Sequence, residues 1–435
     1  MVNVSASSQT VASAAVQPTR GYGGALAVVT TLFFMWGFLT CLNDILVPHL
    51  KSIFDLSYAQ VMLIQFAFFG AYFIFSIPSA KIIDGMGYQR SMVAGLLIMG
   101  VGAFLFVPAA SVPSFPLFLG ALIVLAAGIT CLQVAANPYV TVLGKPETAS
   151  SRLNLTQAFN SLGTFLAPFF GGLLILSAAP KTIQEIRALT PDALQAYRLH
   201  EAATVKTPYV GLGIALVLLA IAIGSFKLPK IEHAQHKAGE RIDDSIWKHA
   251  NLVFGAIAIF VYVGAEVSIG SFLVNYFSQP EIGGLTEKVA ASFVAFYWGG
   301  AMVGRFIGSG LLQKVKTGTL LGICAICAAA LVAISMLSSG HLAMWSIILV
   351  GFFNSIMFPS IFTLGVAELG PLTGDGSGIL IMAIVGGAII PVAQGWIADK
   401  IGIHHAFFLP VVCYLYILFF ALSGSKPNSE RHARA

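Results

Sequence analysis

Charged residues are scarce in this 435-residue chain, at 9% of the sequence. Soluble domains carry about 25% Asp, Glu, Lys and Arg, whereas here 57% of the residues are hydrophobic and the mean hydropathy is +0.87. A water-soluble globular domain is therefore excluded. The net charge of +5 does not indicate a nucleic-acid partner, because the basic residues fall in loops between apolar runs, where membrane topology requires them.

Cysteine usage excludes a second set of protein classes. The five cysteines lie inside apolar runs and their number is odd, which argues against a disulfide framework. Cys324 and Cys327 have C-x-x-C spacing, but no second pair and no histidine partner accompanies them, so a zinc or redox site is rejected. We expect no metal and no cofactor, apart from a proton or sodium ion used for coupling.

The sequence also lacks the patterns of a membrane barrel and of a hydrolase. Its apolar runs are long and unbroken and do not alternate with polar residues, which excludes a transmembrane β-barrel. No H-E-x-x-H, G-x-S-x-G or paired-aspartate motif occurs, so an intramembrane enzyme is disfavoured. We predict that the protein is not an enzyme.

What the sequence does contain is twelve apolar runs, each able to form a membrane-spanning helix of about 20 residues. They define spans one to twelve, at about 24–48, 58–82, 90–111, 114–142, 152–178, 207–227, 249–277, 288–313, 317–338, 342–369, 374–399 and 405–424. The chain is therefore predicted to be an all-α polytopic membrane protein, with twelve transmembrane helices in two pseudo-symmetric six-helix bundles.

Basic residues and loop lengths set the predicted orientation and domains. With the N-terminus in the cytoplasm, 15 of the 23 Lys and Arg residues fall inside, seven fall outside and Arg305 lies within span eight, so both termini are predicted to be cytoplasmic. Between spans five and six, Thr190 and Pro191 have the N-cap and first-turn chemistry of a short external helix. The predicted units are a tail at 1–23, a first bundle at 24–227, a charged cytoplasmic linker at 228–248, a second bundle at 249–424 and a tail at 425–435.

The two bundles repeat each other at an offset of about half the chain. Matching residues are Pro138 and Pro359 (359−138 = 221), Gly144 and Gly365 (365−144 = 221), Pro168 and Pro391 (391−168 = 223), and Asp44 and Glu266 (266−44 = 222). Two six-span repeats are typical of a transporter whose substrate site lies between the halves near the bilayer midplane.

Two of the repeat-related residues are carboxylates, Asp44 near the outer end of span one and Glu266 inside span seven. A carboxylate costs about 2.5–3.5 kcal/mol at the centre of an inserting helix, so it normally faces a cavity and serves function. In a cavity that opens to each side in turn, it can load a proton on one face and release it on the other, and its oxygens also suit sodium. We predict that Asp44 and Glu266 couple the cation. The alternative for Asp44 is a helix-end residue in external water.

Amides accumulate on the helices expected to line the cavity. Gln133 and Asn137 lie one turn apart on span four, and Gln157 and Asn160 lie on one side of span five. An amide offers a donor and an acceptor to a sugar hydroxyl, and an aromatic ring covers the apolar face of the sugar. The alternative is that each amide fastens neighbouring helices. The predicted substrate-binding residues are Gln133, Asn137, Gln157, Asn160, Glu266, Asn275, Asn354, Trp36 and Tyr262.

The loop between spans two and three, 84–90, reads D-G-M-G-Y-Q-R and resembles the D-x-x-G-x-x-R signature of the major facilitator superfamily. Asp84, Gly87 and Arg90 are its fixed positions, and Arg305 near the end of span eight is taken as the degenerate counterpart. A charged latch at such a junction favours one transporter state by contacts that break on switching. We predict a gating role for these four residues. Positive-inside topology alone explains Arg90 but not Asp84.

With these residues in view, the chain resembles the fucose permease family of the major facilitator superfamily, and within it the bacterial glucose/galactose-type permeases. The likeness runs from span one to span twelve. It is densest at 42–48, 135–144, 152–161, 262–266 and 358–365, which read LNDILVP, AANPYVTVLG, RLNLTQAFNS, YVGAE and FPSIFTLG. The resemblance implies a sugar–proton symporter of the bacterial inner membrane, with the family's first-span acid at Asp44 and its polar span-five positions at Gln157 and Asn160.

One departure from the family pattern bears on the mechanism. Fucose permease carries a Glu on span four where this chain has Gln133, and an amide on span seven where this chain has Glu266. This exchange argues against fucose as the substrate. It also shifts the expected cation coupling to Asp44 and Glu266.

The sequence thus predicts a secondary active importer of a hexose or hexose derivative, such as glucose, galactose, mannose or N-acetylglucosamine. Transport is expected to be cation symport, with the proton as the expected ion, by alternating access. We expect a monomer in the lipid bilayer. The alternatives are a drug–proton antiporter of the same fold, whose cavity would be mainly apolar and aromatic, and a sugar uniporter, in which both carboxylates would be structural.

Overall fold

The computed structural model describes the backbone of residues 22–54, 58–112, 114–174, 188–204, 206–229 and 245–427. Within those ranges, the side chains at 39–40, 42–54, 58–63, 168–174, 201–204 and 287 are not described. Asp44 therefore lies in the first helix, with its side chain outside the described residues. Most of the predicted linker, at 230–244, and the predicted tails at 1–21 and 428–435 also lie outside them.

The described chain is built of helices. In the described ranges, nine helical segments are long and apolar enough to cross a membrane, and one of these, Ile64–Ser111, holds two spans. Spans one and five are the further helices Tyr22–Phe54 and Ala149–Leu174, so the prediction of twelve helical spans is confirmed. The α-helices are Tyr22–Phe54, Tyr58–Ser111, Phe115–Val142, Ala149–Leu174, Pro191–Thr204, Lys206–Ser225, Ala250–Phe277, Glu287–Leu311, Thr317–Leu337, Gly340–Asn354, Met357–Gly365, Thr373–Met382, Gly386–Ile401, Ile403–Ala406 and Phe408–Phe419.

The junction of spans two and three is a single residue, Gly87. Its φ of 78° and ψ of 167° are non-helical and interrupt the run Tyr58–Ser111. Positive φ at this value is open to glycine and strained for other residues. The glycine of the loop motif therefore separates the two spans without an intervening loop.

The short helix predicted between spans five and six is confirmed as Pro191–Thr204. The hydroxyl of Thr190 accepts a hydrogen bond from the backbone N–H of Ala193 at 3.4 Å. This is the capping contact expected of a threonine just before the first helical turn.

The prolines that mark the repeat each free a backbone carbonyl. Proline lacks an N–H, so Pro138 leaves the carbonyl of Val134 without its helical donor, and Pro359 does the same for Ser355. The Ser377 hydroxyl, which comes from the other half of the molecule, donates to the Val134 oxygen at 2.8 Å. A guanidinium nitrogen of span eight donates to the Ser355 oxygen at 3.3 Å. The two prolines thus create acceptors that other spans use.

Spans one and five cross at a glycine, and spans seven and eleven cross in the same way. A Cβ atom on Gly163 would lie 2.2 Å from the carbonyl oxygen of Phe34, and one on Gly386 would lie 2.0 Å from that of Phe260. The offset, 386−163 = 223, equals that of the two repeat-related prolines of spans five and eleven. Small residues allow this close approach of membrane helices.

We expect Gly163→Ala and Gly386→Ala to destabilise the protein, because the added methyl group would meet a backbone oxygen that cannot move alone. Overpacking a filled interior costs about 1–3 kcal/mol or more, so the thermal midpoint in detergent should fall clearly for both variants. Gly299→Ala is the matched control, since a Cβ there has no neighbour within 4 Å. Melting of all three variants at the same temperature would contradict the crossing.

Candidate functional site

The first turn of span five joins the second half of the molecule through hydroxyl groups. The Ser150 and Thr363 hydroxyls are 2.6 Å apart, and Thr317 donates to Ser150 at 2.9 Å. The Ser151 hydroxyl donates to the carbonyl oxygen of Ser309 at 2.7 Å. We call these five residues the hydroxyl seam. It holds the halves together at the end predicted to be cytoplasmic, and the bonds in it are uncharged.

The loop motif lies at the same end. Asp84 is placed against the start of helix Thr373–Met382, because a Cβ atom on Gly374 would be 3.5 Å from its carboxylate oxygen. Helix N-termini attract anions through their free N–H groups and dipole. The Gln89 amide donates at 2.8 and 2.6 Å to two carbonyls at the end of span six, and the Arg90 side chain is exposed. The motif thus links the first half to span eleven.

Glu266 lies in span seven, half-buried, in a network of three buried tyrosines. The Tyr262 hydroxyl donates to its Oε1 at 2.7 Å, and the Tyr297 hydroxyl lies 3.4 Å from its backbone oxygen. Asn354 donates to Tyr297 at 2.9 Å and accepts from Tyr414 at 2.8 Å. Both polar atoms of Asn354 are therefore used within the protein. Asn354 orients the tyrosines, and Tyr262 orients the carboxylate.

Arg305 lies inside span eight, within the helix Glu287–Leu311. Its guanidinium donates to the Ser161 hydroxyl of span five. Its Nε donates to the Ser355 carbonyl that Pro359 frees. The residue predicted as a loop counterpart thus lies inside span eight and joins the two halves through Ser161.

On span four the two amides of the first predicted pair differ. The Gln133 amide donates to the Tyr72 hydroxyl at 2.7 Å. Asn137 is fully buried, and neither its amide nitrogen nor its oxygen has a hydrogen-bond partner among the described residues. Gln133 is repeat-related to Asn354, since 354−133 = 221, and both amides donate to a tyrosine. Asn137 is therefore the span-four amide whose hydrogen-bonding atoms have no partner within the described ranges.

Span five shows the same division. The Asn160 amide donates at 2.9 Å to the carbonyl oxygen of Phe33, beside the crossing at Gly163, which is the contact that helix fastening predicts. Gln157 is buried, and its amide nitrogen has no partner in the part of the chain that the structure describes. Asn160 joins spans one and five, while the Gln157 amide nitrogen has no acceptor in the described part of the chain.

Two other predicted substrate-binding residues lie outside the hydrogen-bond network around Glu266. Trp36 is half-buried, with its ring 5.5 Å from that of Phe33. Asn275 is exposed near the end of helix Ala250–Phe277, away from the tyrosine network. No group of three or more His, Cys, Asp and Glu side chains able to hold a metal occurs in the described ranges.

Three tyrosines of the site were not predicted from the sequence. Tyr297 and Tyr414 meet Asn354 from 57 and 60 residues away, and Tyr72 meets Gln133 from 61 residues away. No local pattern indicates such contacts. The internal repeat is the feature that relates these contacts. Once an amide is known to have a tyrosine partner in one half, the repeat predicts an amide–tyrosine contact at the related position of the other half.

Comparison with known proteins agrees with this architecture. The sequence model of the Major Facilitator Superfamily matches residues 26–384. The glucose/galactose transporter of Brucella abortus is 54% identical over 407 residues, which cover 94% of this chain and 95% of that protein. The L-fucose-proton symporter of Escherichia coli is 36% identical over 415 residues, which cover 94% of each.

The fold has a counterpart among solved structures. The crystal structure of a major facilitator transporter in the outward conformation matches with a TM-score of 0.85 at 34% identity, covering 93% of this chain and 99% of that one. With the family model spanning most of the chain and relatives above 30% identity over nearly its full length, this protein belongs to the major facilitator superfamily and, within it, to the fucose permease family.

Proposed function

We propose that the protein imports a hexose into the bacterial cytoplasm by proton symport. Glucose and galactose are the favoured substrates, because the relative at 54% identity is named a glucose/galactose transporter while the fucose symporter is 36% identical. The observation that carries the proposal is the half-buried Glu266 in the middle of a membrane span, with Tyr262 donating to its carboxylate. A structural acid would be fully paired, whereas a coupling acid must stay reachable by protons.

The substrate would lie between the halves, against groups that keep hydrogen-bonding capacity. Asn137 and Gln157 supply amides from the first half, and Glu266 supplies a carboxylate from the second half. Hexose hydroxyls need donors and acceptors together, and an amide provides both. These three residues are our candidates for direct sugar contact, while Gln133, Asn160 and Asn354 hold helices and tyrosines in position.

The closed hydroxyl seam supports an assignment of the conformational state. Both termini are proposed to be cytoplasmic, and the protein is proposed to lie in the inner membrane. The hydroxyl seam is then the cytoplasmic gate, and the structure with this gate closed is the outward-facing state. Sugar and proton would enter from outside, the halves would rock, and the seam would part to release both inside. A monomer contains every residue that this cycle uses.

Transport in proteoliposomes tests the function. Radiolabelled glucose and galactose should accumulate when the vesicle exterior is acidic, and a protonophore should stop the accumulation. A sodium gradient at equal pH should give none. Unlabelled fucose, mannose and N-acetylglucosamine serve as competitors that define the site. Accumulation driven by a sodium gradient alone would show that sodium, not the proton, is the coupling ion. Uptake that only equalises the sugar concentration across the membrane would favour a uniporter. The absence of sugar counterflow would reject hexose transport.

A further inference from the structure

An amide and a hydroxyl in the second half of the molecule are buried without hydrogen-bond partners. Gln394 on span eleven is fully buried, and neither its amide nitrogen nor its oxygen has a partner in the described ranges. The hydroxyl of Ser268 on span seven is equally buried and also has no partner among the described residues. We call these two residues the polar pair. A buried polar group without a partner is unfavourable, so the pair indicates a place where another molecule supplies the hydrogen bonds.

The register of spans seven and eleven brings the polar pair together. A Cβ atom on Gly386 would lie 2.0 Å from the Phe260 carbonyl oxygen. A Cβ atom on Gly264 would lie 2.3 Å from the side chain of Ile390. Each contact joins positions 126 residues apart (386−260 = 126 and 390−264 = 126). The polar pair has the same separation (394−268 = 126) and lies about one helical turn beyond the second contact. The two side chains are therefore neighbours across the two spans.

The two halves of the molecule meet on the inner side of the polar pair. A Cβ atom on Gly387 of span eleven would lie 2.7 Å from the ring of Phe69, which belongs to span two of the first half. Gln394 is seven residues further along (394−387 = 7), about two helical turns on the same face, toward the end predicted to be external. The closed hydroxyl seam lies at the opposite end. A solute would therefore reach the polar pair from outside.

A line of neutral polar residues leads outward from the polar pair. Ser271 and Asn275 follow Ser268 on the same face of span seven, and both are exposed. Phe272 is half-buried beside them, and a Cβ atom on Gly395 of span eleven would lie 3.5 Å from its ring. Hydroxyls and amides next to an aromatic ring suit the hydroxyls and the apolar face of a sugar. Asn275, which the sequence predicts to bind substrate, thus belongs to this outer group.

We propose that Gln394 and Ser268 form an outer hexose subsite, reached along Ser271 and Asn275. The inference rests on the proposed hexose transport and deepens it, because it gives the sugar a binding position before the central site of Asn137, Gln157 and Glu266. The amide and the serine hydroxyl exchange hydrogen bonds with sugar hydroxyls, and the ring of Phe272 covers an apolar face. Binding there is noncovalent and involves no change of charge.

The outer subsite is expected to bind sugar more weakly than the central site. It offers two buried polar groups, and a binding position on a transport route must be weak enough to release its solute. Its occupancy should therefore rise at glucose concentrations above those that half-saturate counterflow. Sugar that saturates the central site leaves the outer subsite largely empty.

A cysteine at the mouth of the outer subsite tests the proposal. Ser271→Cys is introduced in a background without the native cysteines, and its alkylation by a maleimide is followed as glucose is added. Sugar in the subsite should slow the reaction. With Gln394→Leu added, the glucose concentration for half-maximal protection should rise about tenfold, the change that ~1.4 kcal/mol produces. Ser268→Ala should raise it in the same direction. Ser339→Cys, exposed between spans nine and ten, is the control and should react at a rate independent of glucose.

Two comparisons distinguish a local contact from a remote effect. Asn137→Leu, which changes the central site, should leave the protection of the reporter as it is. In a series of monodeoxyglucoses, at least one should protect less well than glucose because it lacks a hydroxyl that the subsite binds. Gln394→Leu should abolish that difference, since the partner of the hydroxyl is then absent from both measurements.

Each outcome decides for or against the subsite. Gln394→Leu should melt at or above the temperature of the unmutated protein, because it removes a buried amide without a described partner. Much earlier melting, or unchanged protection in both Gln394→Leu and Ser268→Ala, would mean that the polar pair holds structural contacts or ordered water only, and would overturn the proposal. Loss of protection in Asn137→Leu would also overturn it, by assigning the shielding to the central site. Absence of sugar counterflow in the unmutated protein rejects the proposed function, whereas normal counterflow without protection of the reporter rejects the outer subsite alone.

Discussion

Glu266→Gln is expected to abolish the uphill accumulation of hexose while leaving sugar counterflow in place. The amide keeps the size of the side chain and can still accept from Tyr262, whose hydroxyl lies 2.7 Å from the carboxylate. It cannot carry a proton. A one-proton symporter driven by one pH unit concentrates its substrate about tenfold at most, because each unit is worth about 1.36 kcal/mol. The variant should reach an inside-to-outside ratio of one.

The measurement is radiolabelled hexose uptake into proteoliposomes under an inward proton gradient, followed by counterflow at equal pH. Asp399→Asn is the matched control, since Asp399 is an exposed acid at the end of span eleven. It should accumulate sugar like the unmutated protein. Asp44→Asn tests the second predicted acid in parallel. If Glu266→Gln still concentrates hexose and Asp44→Asn does not, the coupling acid is on span one.

The fold was predictable because its determinants are local or periodic. Twelve apolar runs of membrane length predict twelve helices, and the matched prolines and glycines predict two halves. The prolines indicate more than the two-half topology, because Pro138 and Pro359 each free a backbone carbonyl. Ser377 and Arg305 donate hydrogen bonds to these two carbonyls. Proline chemistry predicts the freed carbonyl. It does not predict the donor, which comes from a different span.

The roles of the amides could not be read from the sequence. Asn137, Asn160 and Asn354 are the same residue type on neighbouring helices, yet their surroundings differ. Asn354 bonds two tyrosines, Asn160 bonds a carbonyl of span one, and Asn137 bonds no described group. The bonds of Asn354 and Asn160 depend on partners 57 to 127 residues away in the chain. Side-chain chemistry identifies amides that can bind a sugar, and tertiary contacts decide which remain available.

This difference among amides gives a pair of expected results with opposite signs. Asn137→Leu should weaken hexose binding about ten- to a hundredfold. Without the amide, a buried sugar hydroxyl would lose its hydrogen-bond partner, which costs about 1–3 kcal/mol. The same change should leave the sugar-free protein as stable as before or more stable, because it removes a buried amide that has no partner among the described residues.

Asn160→Ala should do the reverse. It removes the bond to Phe33 at the crossing of spans one and five, so the thermal midpoint should fall by the equivalent of about 1 kcal/mol while hexose still binds. Melting curves with and without saturating glucose distinguish the two variants, because a ligand raises the midpoint only of a protein that binds it. Glucose should raise the midpoint of Asn160→Ala and leave that of Asn137→Leu unchanged. If glucose stabilised both variants equally, Asn137 on span four would not contact the sugar, and the binding site would be assigned to Gln157 and Glu266.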